Sequence, residues 1–227
     1  MKKIGLIGGM SWESTVTYYQ VINETIKQKL GDLHSAEIII YSIDFDIIAK
    51  AQELDDWNTC ADIILKAALN LEKAGADFIL IGANTMHKVI PQIKDKLSVP
   101  ILHIAEATID RLKKDHIQTV ALLGTKYTMC QDFYKQKLVD AQLSVLIPEE
   151  IDTVNSIIYD ELCKGIFLQS SKEKLIAIIN RLKDEGAQGV ILGCTELGLL
   201  VKQGDLDIPV YDTTLIHGEE AALQSLE

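Results

Sequence analysis

Short, continuous apolar runs alternate along this chain with longer segments in which apolar positions recur every three or four residues. The first run, residues 3–8, ends in Gly8-Gly9-Met10-Ser11, and Tyr18, Ile22, Ile26 and Leu30 then repeat at i+4 up to Gly31. That is a strand, a glycine turn, and a helix with a glycine stop. The pattern continues with a strand at 37–43, a long amphipathic helix at 53–74, a strand at 77–82, a helix interrupted at Pro91, and a strand at 99–104. Beyond it the pattern predicts a strand at 118–124, a helix at 129–140, a strand at 142–147, helices at 151–164 and 172–185, a strand at 189–193, a short strand at 207–211, and a last helix from about 213. Continuous apolar strands between helical segments indicate parallel sheets covered on both faces.

The chain also repeats itself. Gly75-Ala76-Asp77-Phe78-Ile79-Leu80-Ile81-Gly82-Ala83-Asn84-Thr85 matches Gly186-Ala187-Gln188-Gly189-Val190-Ile191-Leu192-Gly193-Cys194-Thr195-Glu196. Ile4–Gly8 matches Val120–Gly124, and Val99-Pro100-Ile101 matches Ile208-Pro209-Val210, in the same order. Self-similarity of this kind decides the architecture before any single element does. It implies an α/β protein of two pseudo-symmetric, Rossmann-like parallel-sheet domains from an internal duplication, with the active site in the cleft between them. The expected division is 1–105 with 212–227, whose last helix returns to the first half, and 106–211. Open parallel sheets bind ligands beyond the carboxyl ends of their strands. This directs attention to Gly8–Ser11, Ser42–Phe45, Ala83–Thr85, Gly124–Thr128 and Cys194–Glu196.

Composition narrows the role. At 227 residues and 48% hydrophobic content the chain can bury a large core, and a net charge of −11 with no long run of like charges disfavours nucleic acid and anionic membranes as partners. Four widely spaced cysteines, with no C-x-x-C pair, argue against a disulfide framework or a structural zinc site and suit a reducing cytoplasm. The start reads as a strand and not as a secretory leader, so a soluble cytoplasmic protein is expected.

Cys194 alone among the cysteines closes a strand just before an expected helix, where the positive helix end should lower its pKa and make it a usable base. The competing reading is a small buried hydrophobe, and for Cys60, Cys130 and Cys163, inside helical patterns, that reading prevails. Asn84, Thr85, Thr195 and Glu196 offer hydroxyls, an amide, a carboxylate and backbone N–H groups at helix starts, suited either to a substrate carboxylate or to ordinary capping. Gly8-Gly9-Met10-Ser11 provides backbone donors without the G-x-G-x-x-G spacing of a dinucleotide site. The two arginines, Arg111 and Arg181, lie in helical segments, which leaves Lys164 as the plausible cation for a carboxylate; the alternative is a solvated lysine at a helix end. His87 and His103 read as hydrogen-bonded packing residues.

Taken together, Gly8-Gly9-Met10-Ser11-Trp12-Glu13-Ser14-Thr15, Asn84-Thr85-Met86-His87-Lys88, Pro100 with His103, Leu122-Leu123-Gly124-Thr125, Glu161-Leu162-Cys163-Lys164-Gly165 and Gly193-Cys194-Thr195-Glu196 resemble the aspartate/glutamate racemase family over nearly the whole chain. The resemblance implies a cofactor-independent amino-acid racemase, a homodimer, acting on a dicarboxylic amino acid, aspartate by default and glutamate next. It also implies one cysteine from each half, on opposite sides of the substrate α-carbon. Cys194 would be one of them. Met10, Ser11, Asn84, Thr85, Thr125, Thr128, Lys164, Thr195 and Glu196 would hold substrate, with no metal.

Ala83 departs from that pattern: it stands where the first thiol is expected, and a methyl group moves no proton. The chain should therefore be inactive or one-directional. A deliberate substitution, a natural one-base enzyme and a retired enzyme kept as a binder each account for Ala83; the intact residues around it favour the first. The segment Ser42-Ile43-Asp44-Phe45 also lacks an arginine for a distal carboxylate. Rival readings are a single-cysteine decarboxylase or cis–trans isomerase and a non-catalytic carboxylate-binding module.

Overall fold

The computed structural model describes residues 1–227. It divides into two units, Met1–Ile104 with His217–Glu227, and Ala105–Ile216. The sequence pattern puts these crossings at 105/106 and 211/212; the units divide one residue earlier at the first, near the start of a helix, and five residues later at the second, within the last helix.

In unit 1, β1 (Ile4–Gly8) leads through a tight turn into α1 (Trp12–Leu30), followed by β2 (Ile38–Ser42), α2 (Phe45–Glu53), α3 (Trp57–Lys73) and β3 (Phe78–Ile81). A 3-10 turn (Thr85–Val89), α4 (Ile90–Ile93) and a second 3-10 turn (Lys94–Lys96) lead to β4 (Ile101–Leu102). The strands pair in parallel in the order β2-β1-β3-β4, with Leu6 opposite both Ile40 and Leu80. Ile4, Leu6, Phe78 and Leu80 on one face pack against Tyr18, Ile22 and Ile26 of α1 and against Ala221 and Ala222 of the last helix.

Unit 2 takes α5 (Ile104–Lys114) from Ala105 onward, then β5 (Thr119–Gly124), α6 (Lys126–Cys130), α7 (Asp132–Asp140), β6 (Ser144–Leu146), α8 (Ile151–Ser156), α9 (Gln169–Asp184), β7 (Gly189–Gly193), α10 (Leu197–Leu200), β8 (Val210–Asp212) and the start of α11 (Thr213–Ser225). Its parallel sheet runs β6-β5-β7-β8, the order of unit 1. The two sheets thus repeat one topology, and β3 corresponds to β7, so that Ala83 and Cys194 occupy equivalent places after their strands. The core of unit 2 joins Ala121, Leu123, Val190 and Leu192 to Leu175, Ile178, Ile179 and Leu182 of α9.

Several expected elements take another form. The helix expected at 53–74 is α3, which starts only at Trp57: Leu54 ends α2, a helix the pattern did not predict, and Asp55, at φ 54, turns the chain before Asp56 caps α3 through a 3.0 Å bond from the Thr59 amide. The segment 151–164 is α-helical only to Ser156, then a π turn (Ile157–Glu161) and a 3-10 turn (Leu162–Lys164). The strand expected at 99–104 shortens to Ile101–Leu102, since α5 begins at Ile104. Cys130, expected to be buried, is exposed at the end of α6.

The β1–α1 turn depends on a glycine. Gly9 has φ +88, and a Cβ there would lie 2.1 Å from the carbonyl oxygen of Ile43. Its amide donates to Thr15 Oγ1 at 2.8 Å, tying the turn to the first turn of α1. Substitution Gly9→Ala should cost about 2 kcal/mol or more of unfolding free energy, read as a lower urea midpoint with an unchanged slope.

The last helix is fastened by a buried imidazole. His217 Nδ1 accepts from the Tyr18 hydroxyl at 2.8 Å, which leaves Nε2–H to donate to the Leu102 carbonyl at 2.9 Å. Burial lowers its pKa to about 4. Between the ordinary histidine value of 6.5 and about 4 the unfolded chain binds a proton that the folded chain refuses, so stability falls as pH falls through that window. The loss from His217 should reach about 3 kcal/mol, measured by denaturant unfolding at pH 7, 5.5 and 4.

Candidate active site

Strand β7 is buried at every residue, and its end delivers Cys194, Thr195 and Glu196, which are 7%, 4% and 2% exposed. Cys194 Sγ donates to Glu196 Oε2 at 2.9 Å, and Thr195 Oγ1 donates to the same oxygen at 2.8 Å. One carboxylate oxygen therefore holds both protons. The thiol is pushed well above its usual range, first by burial, then by the negative charge of Glu196, by Cys163, and by the bond in which it donates to Glu196. This reverses the sequence expectation of a lowered pKa. The helix that was to lower it, α10, is a single turn of four residues, too short to build a dipole that offsets desolvation.

Neighbouring strand ends complete this side. Thr125 caps α6 by accepting from the Thr128 amide at 3.3 Å, and the two threonine hydroxyls lie 3.3 Å apart. A Cβ on Gly193 would meet Thr128 Cγ2 at 3.1 Å, so these threonines stand directly beside the residue before Cys194. Asp212, at the end of β8, accepts from the amides of Thr214 and Leu215 at 2.9 and 3.4 Å and leaves room for no side chain at Gly198, whose Cβ would fall 1.8 Å from its carboxylate. The π turn brings Tyr159, and the following turn Cys163, against the core cluster that contains Cys194. Burial raises the Tyr159 pKa far above its usual value, with Cys194 the next cause, so its phenol stays protonated.

In unit 1, β1 and β3 are paired neighbours, with Ile7 opposite Ile81 and the Gly82 amide donating to the Ile7 carbonyl at 2.8 Å. Their ends bring Met10 and Ser11 alongside Ala83, Asn84 and Thr85, all buried. Ser11 serves as the N-cap of α1, accepting from the Ser14 amide at 3.4 Å, while its carbonyl accepts from the Ser14 and Thr15 hydroxyls. Asn84 has helical backbone angles and makes no side-chain cap, so ordinary capping does not explain it. Lys164 stands apart from the buried set: its side chain is 60% exposed and lies 3.7 Å from Asp160, one turn earlier. Glu196, expected to contact substrate, is instead engaged by the thiol and by Thr195.

Sequence reasoning missed Tyr159, Asp212 and the thiol–carboxylate bond itself. Asp212 was within reach, since Asp-Thr-Thr before a helical pattern is a capping signal. A π turn has no comparable signature. No helix is long and apolar enough to cross a membrane, and no group of three His, Cys, Asp or Glu side chains is arranged to hold a metal ion.

Two parallel four-stranded sheets that repeat one topology define a class of α/β protein, and known proteins share it. The family model for Asp/Glu/hydantoin racemases matches residues 7–221, and the chain belongs to that family. It is 46% identical to a Yersinia pestis protein assigned as an Asp/Glu racemase, with a TM-score of 0.92, and 39% identical to an aspartate racemase homologue from Pyrococcus horikoshii, with a TM-score of 0.86; each pair covers both chains fully. The broad specificity amino-acid racemase RacX of Bacillus subtilis is 26% identical over 217 residues, 93% of this chain and 92% of the relative.

The electrostatics of Cys194 can be read directly. Exposed Cys130 should be alkylated first by iodoacetamide, with Cys194 reacting slowly at neutral pH and faster as pH rises beyond 9. Replacing the carboxylate, Glu196→Gln, removes two causes of the upward shift and should bring the Cys194 reaction profile to lower pH, followed peptide by peptide in a mass spectrometer.

Proposed function

We propose that this chain acts, without a cofactor, on the Cα–H bond of an acidic amino acid, aspartate or glutamate, with Cys194 as its proton carrier and Ala83 in the place of a second one. The observation that carries this reading is the buried thiol hydrogen-bonded to the Glu196 carboxylate at 2.9 Å, at a strand end whose repeat equivalent bears a methyl group. Membership of the racemase family supports it.

At rest the thiol keeps its proton. To act as a base, Cys194 passes that proton to Glu196, and the thiolate then takes the proton from Cα. The electron pair left behind moves into the substrate carboxylate, giving a planar enediolate. Backbone N–H groups and hydroxyls near Met10, Ser11, Asn84, Thr85, Thr125, Thr128 and Thr195 are the proposed donors that stabilise this charge, and their contribution should exceed that of the thiol. Reversal returns a proton from sulfur to the same face. A racemase needs a second carrier for the opposite face, and Ala83 supplies none.

In deuterium oxide the chain should therefore exchange the α-proton of one enantiomer at most, with retention of configuration, and Cys194→Ala should abolish the exchange. Ala83→Cys should add interconversion of the enantiomers, followed by chiral chromatography. Failure of that variant to racemise aspartate, glutamate or any other amino acid refutes the two-thiol reading.

A second reading follows from the same neutral thiol. A group that holds its proton at rest is suited to protonating a carbanion left by loss of carbon dioxide, as a single-cysteine decarboxylase requires. Carbon dioxide release from substituted malonates, absent in Cys194→Ala, would favour it over racemase chemistry.

A further inference from the structure

Three histidines lie buried together in unit 1, outside the chemistry assigned above. His87 is 1% exposed; its ring centroid lies 4.6 Å from that of His103 and 5.9 Å from that of His217. Both nitrogens of His87 are committed. Nε2 lies 3.1 Å from the amide of Ile104, which can only donate, so Nε2 is the unprotonated acceptor. The proton then sits on Nδ1, which donates to the carbonyl of Ala83 at 2.9 Å.

We propose that His87 is the positioning residue for position 83: one neutral imidazole, in its Nδ1–H tautomer, ties the backbone of residue 83 at the end of β3 to the backbone of Ile104 just beyond β4. This rests on the reading of position 83 as the place of a second proton carrier. The geometry makes the inference specific. Residue 83 follows Gly82, whose own amide is held by the Ile7 carbonyl. Its carbonyl is held by His87, so the peptide group that follows its Cα is fixed one residue beyond a peptide held by the sheet, and this limits the direction of its Cβ. The second anchor is no loose loop: Ile104 is fully buried and opens α5. The groups facing His87 work to keep it neutral. The two imidazoles of His103 and His217 oppose a positive charge there, burial opposes it more strongly, and the Tyr18 hydroxyl is occupied by His217.

Nitrogen-15 NMR of the unaltered chain tests the tautomer. At pH 7 the His87 resonances should be those of a neutral ring protonated on Nδ1, and they should not titrate down to pH 5; the Ile104 amide should be protected from hydrogen exchange. Kinetics then test the consequence in Ala83→Cys, the form with a second thiol. There His87→Ala should lower kcat for racemisation at least tenfold with KM within about twofold, and His87→Asn, which keeps a donor for the residue 83 carbonyl, should recover part of the loss. A proton on Nε2, an Ile104 amide that exchanges freely, or a His87→Ala variant with unchanged kcat overturns the proposal on its own geometry. If Ala83→Cys never racemises while the NMR result holds, the proposal falls instead through the reading on which it rests, and the two failures are told apart.

Discussion

A thiol that donates to a carboxylate where water is scarce has its protonation state decided by its neighbour. Burial opposes a charge on Cys194, the negative charge of Glu196 beside it opposes it further, and the hydrogen bond that the thiol donates keeps the proton on sulfur. Thr195 reinforces that distribution by donating to the same oxygen. The carboxylate thus adds to what burial does to keep the thiol neutral, and it also accepts the hydrogen bond that the thiol donates.

Such a pair needs a rigid support, and the parallel sheet provides it. β7 is the central partner of β5 and β8, fully buried and paired on both edges, so Gly193 and Cys194 emerge from the least mobile part of unit 2. The repeat sets β3 in the corresponding position between β1 and β4. What differs is local: the polar partners of Cys194 and Thr195 are side chains, whereas at Ala83 the backbone carbonyl accepts from the His87 imidazole.

How much of this could be read from the chain depended on the range of the interaction. Strands β1, β5 and β7 were legible because buried parallel strands must be apolar throughout, and α1 because Tyr18, Ile22 and Ile26 mark one face and Gly31 ends it. Helix α2 was not, since it is a short helix of nine residues directly after a strand, and only the cap at Asp44 marks its start. The π turn at Ile157–Glu161 answers to tertiary packing, which a local pattern does not record. The identity of Cys194 as the distinctive cysteine came from its position at a strand end. Its acidity was misread because the argument supposed a full helix where the chain makes one turn, and because desolvation is invisible until neighbours are known. The exposed setting of Lys164 beside Asp160 was hidden for the same reason.

A raised pKa is usually taken as a handicap for a base, yet here it divides the work in a definite way. Fewer thiolates exist at neutral pH, but each is more basic, and removing a proton from carbon draws on that strength. Glu196 as the local acceptor lets the thiolate form only transiently, without a proton having to escape to solvent. In the proposed return step the same shift makes the thiol a weaker acid, yet the enediolate beside it is a far stronger base and takes the proton all the same. A two-carrier enzyme must meet both demands at two sites at once, one sulfur charged and the other neutral. If Cys194 acts as proposed, Ala83 removes that conflict: a single thiol would alternate between the two states in time, and what would be lost is the opposite face of the carbon, not the capacity to break its bond to hydrogen.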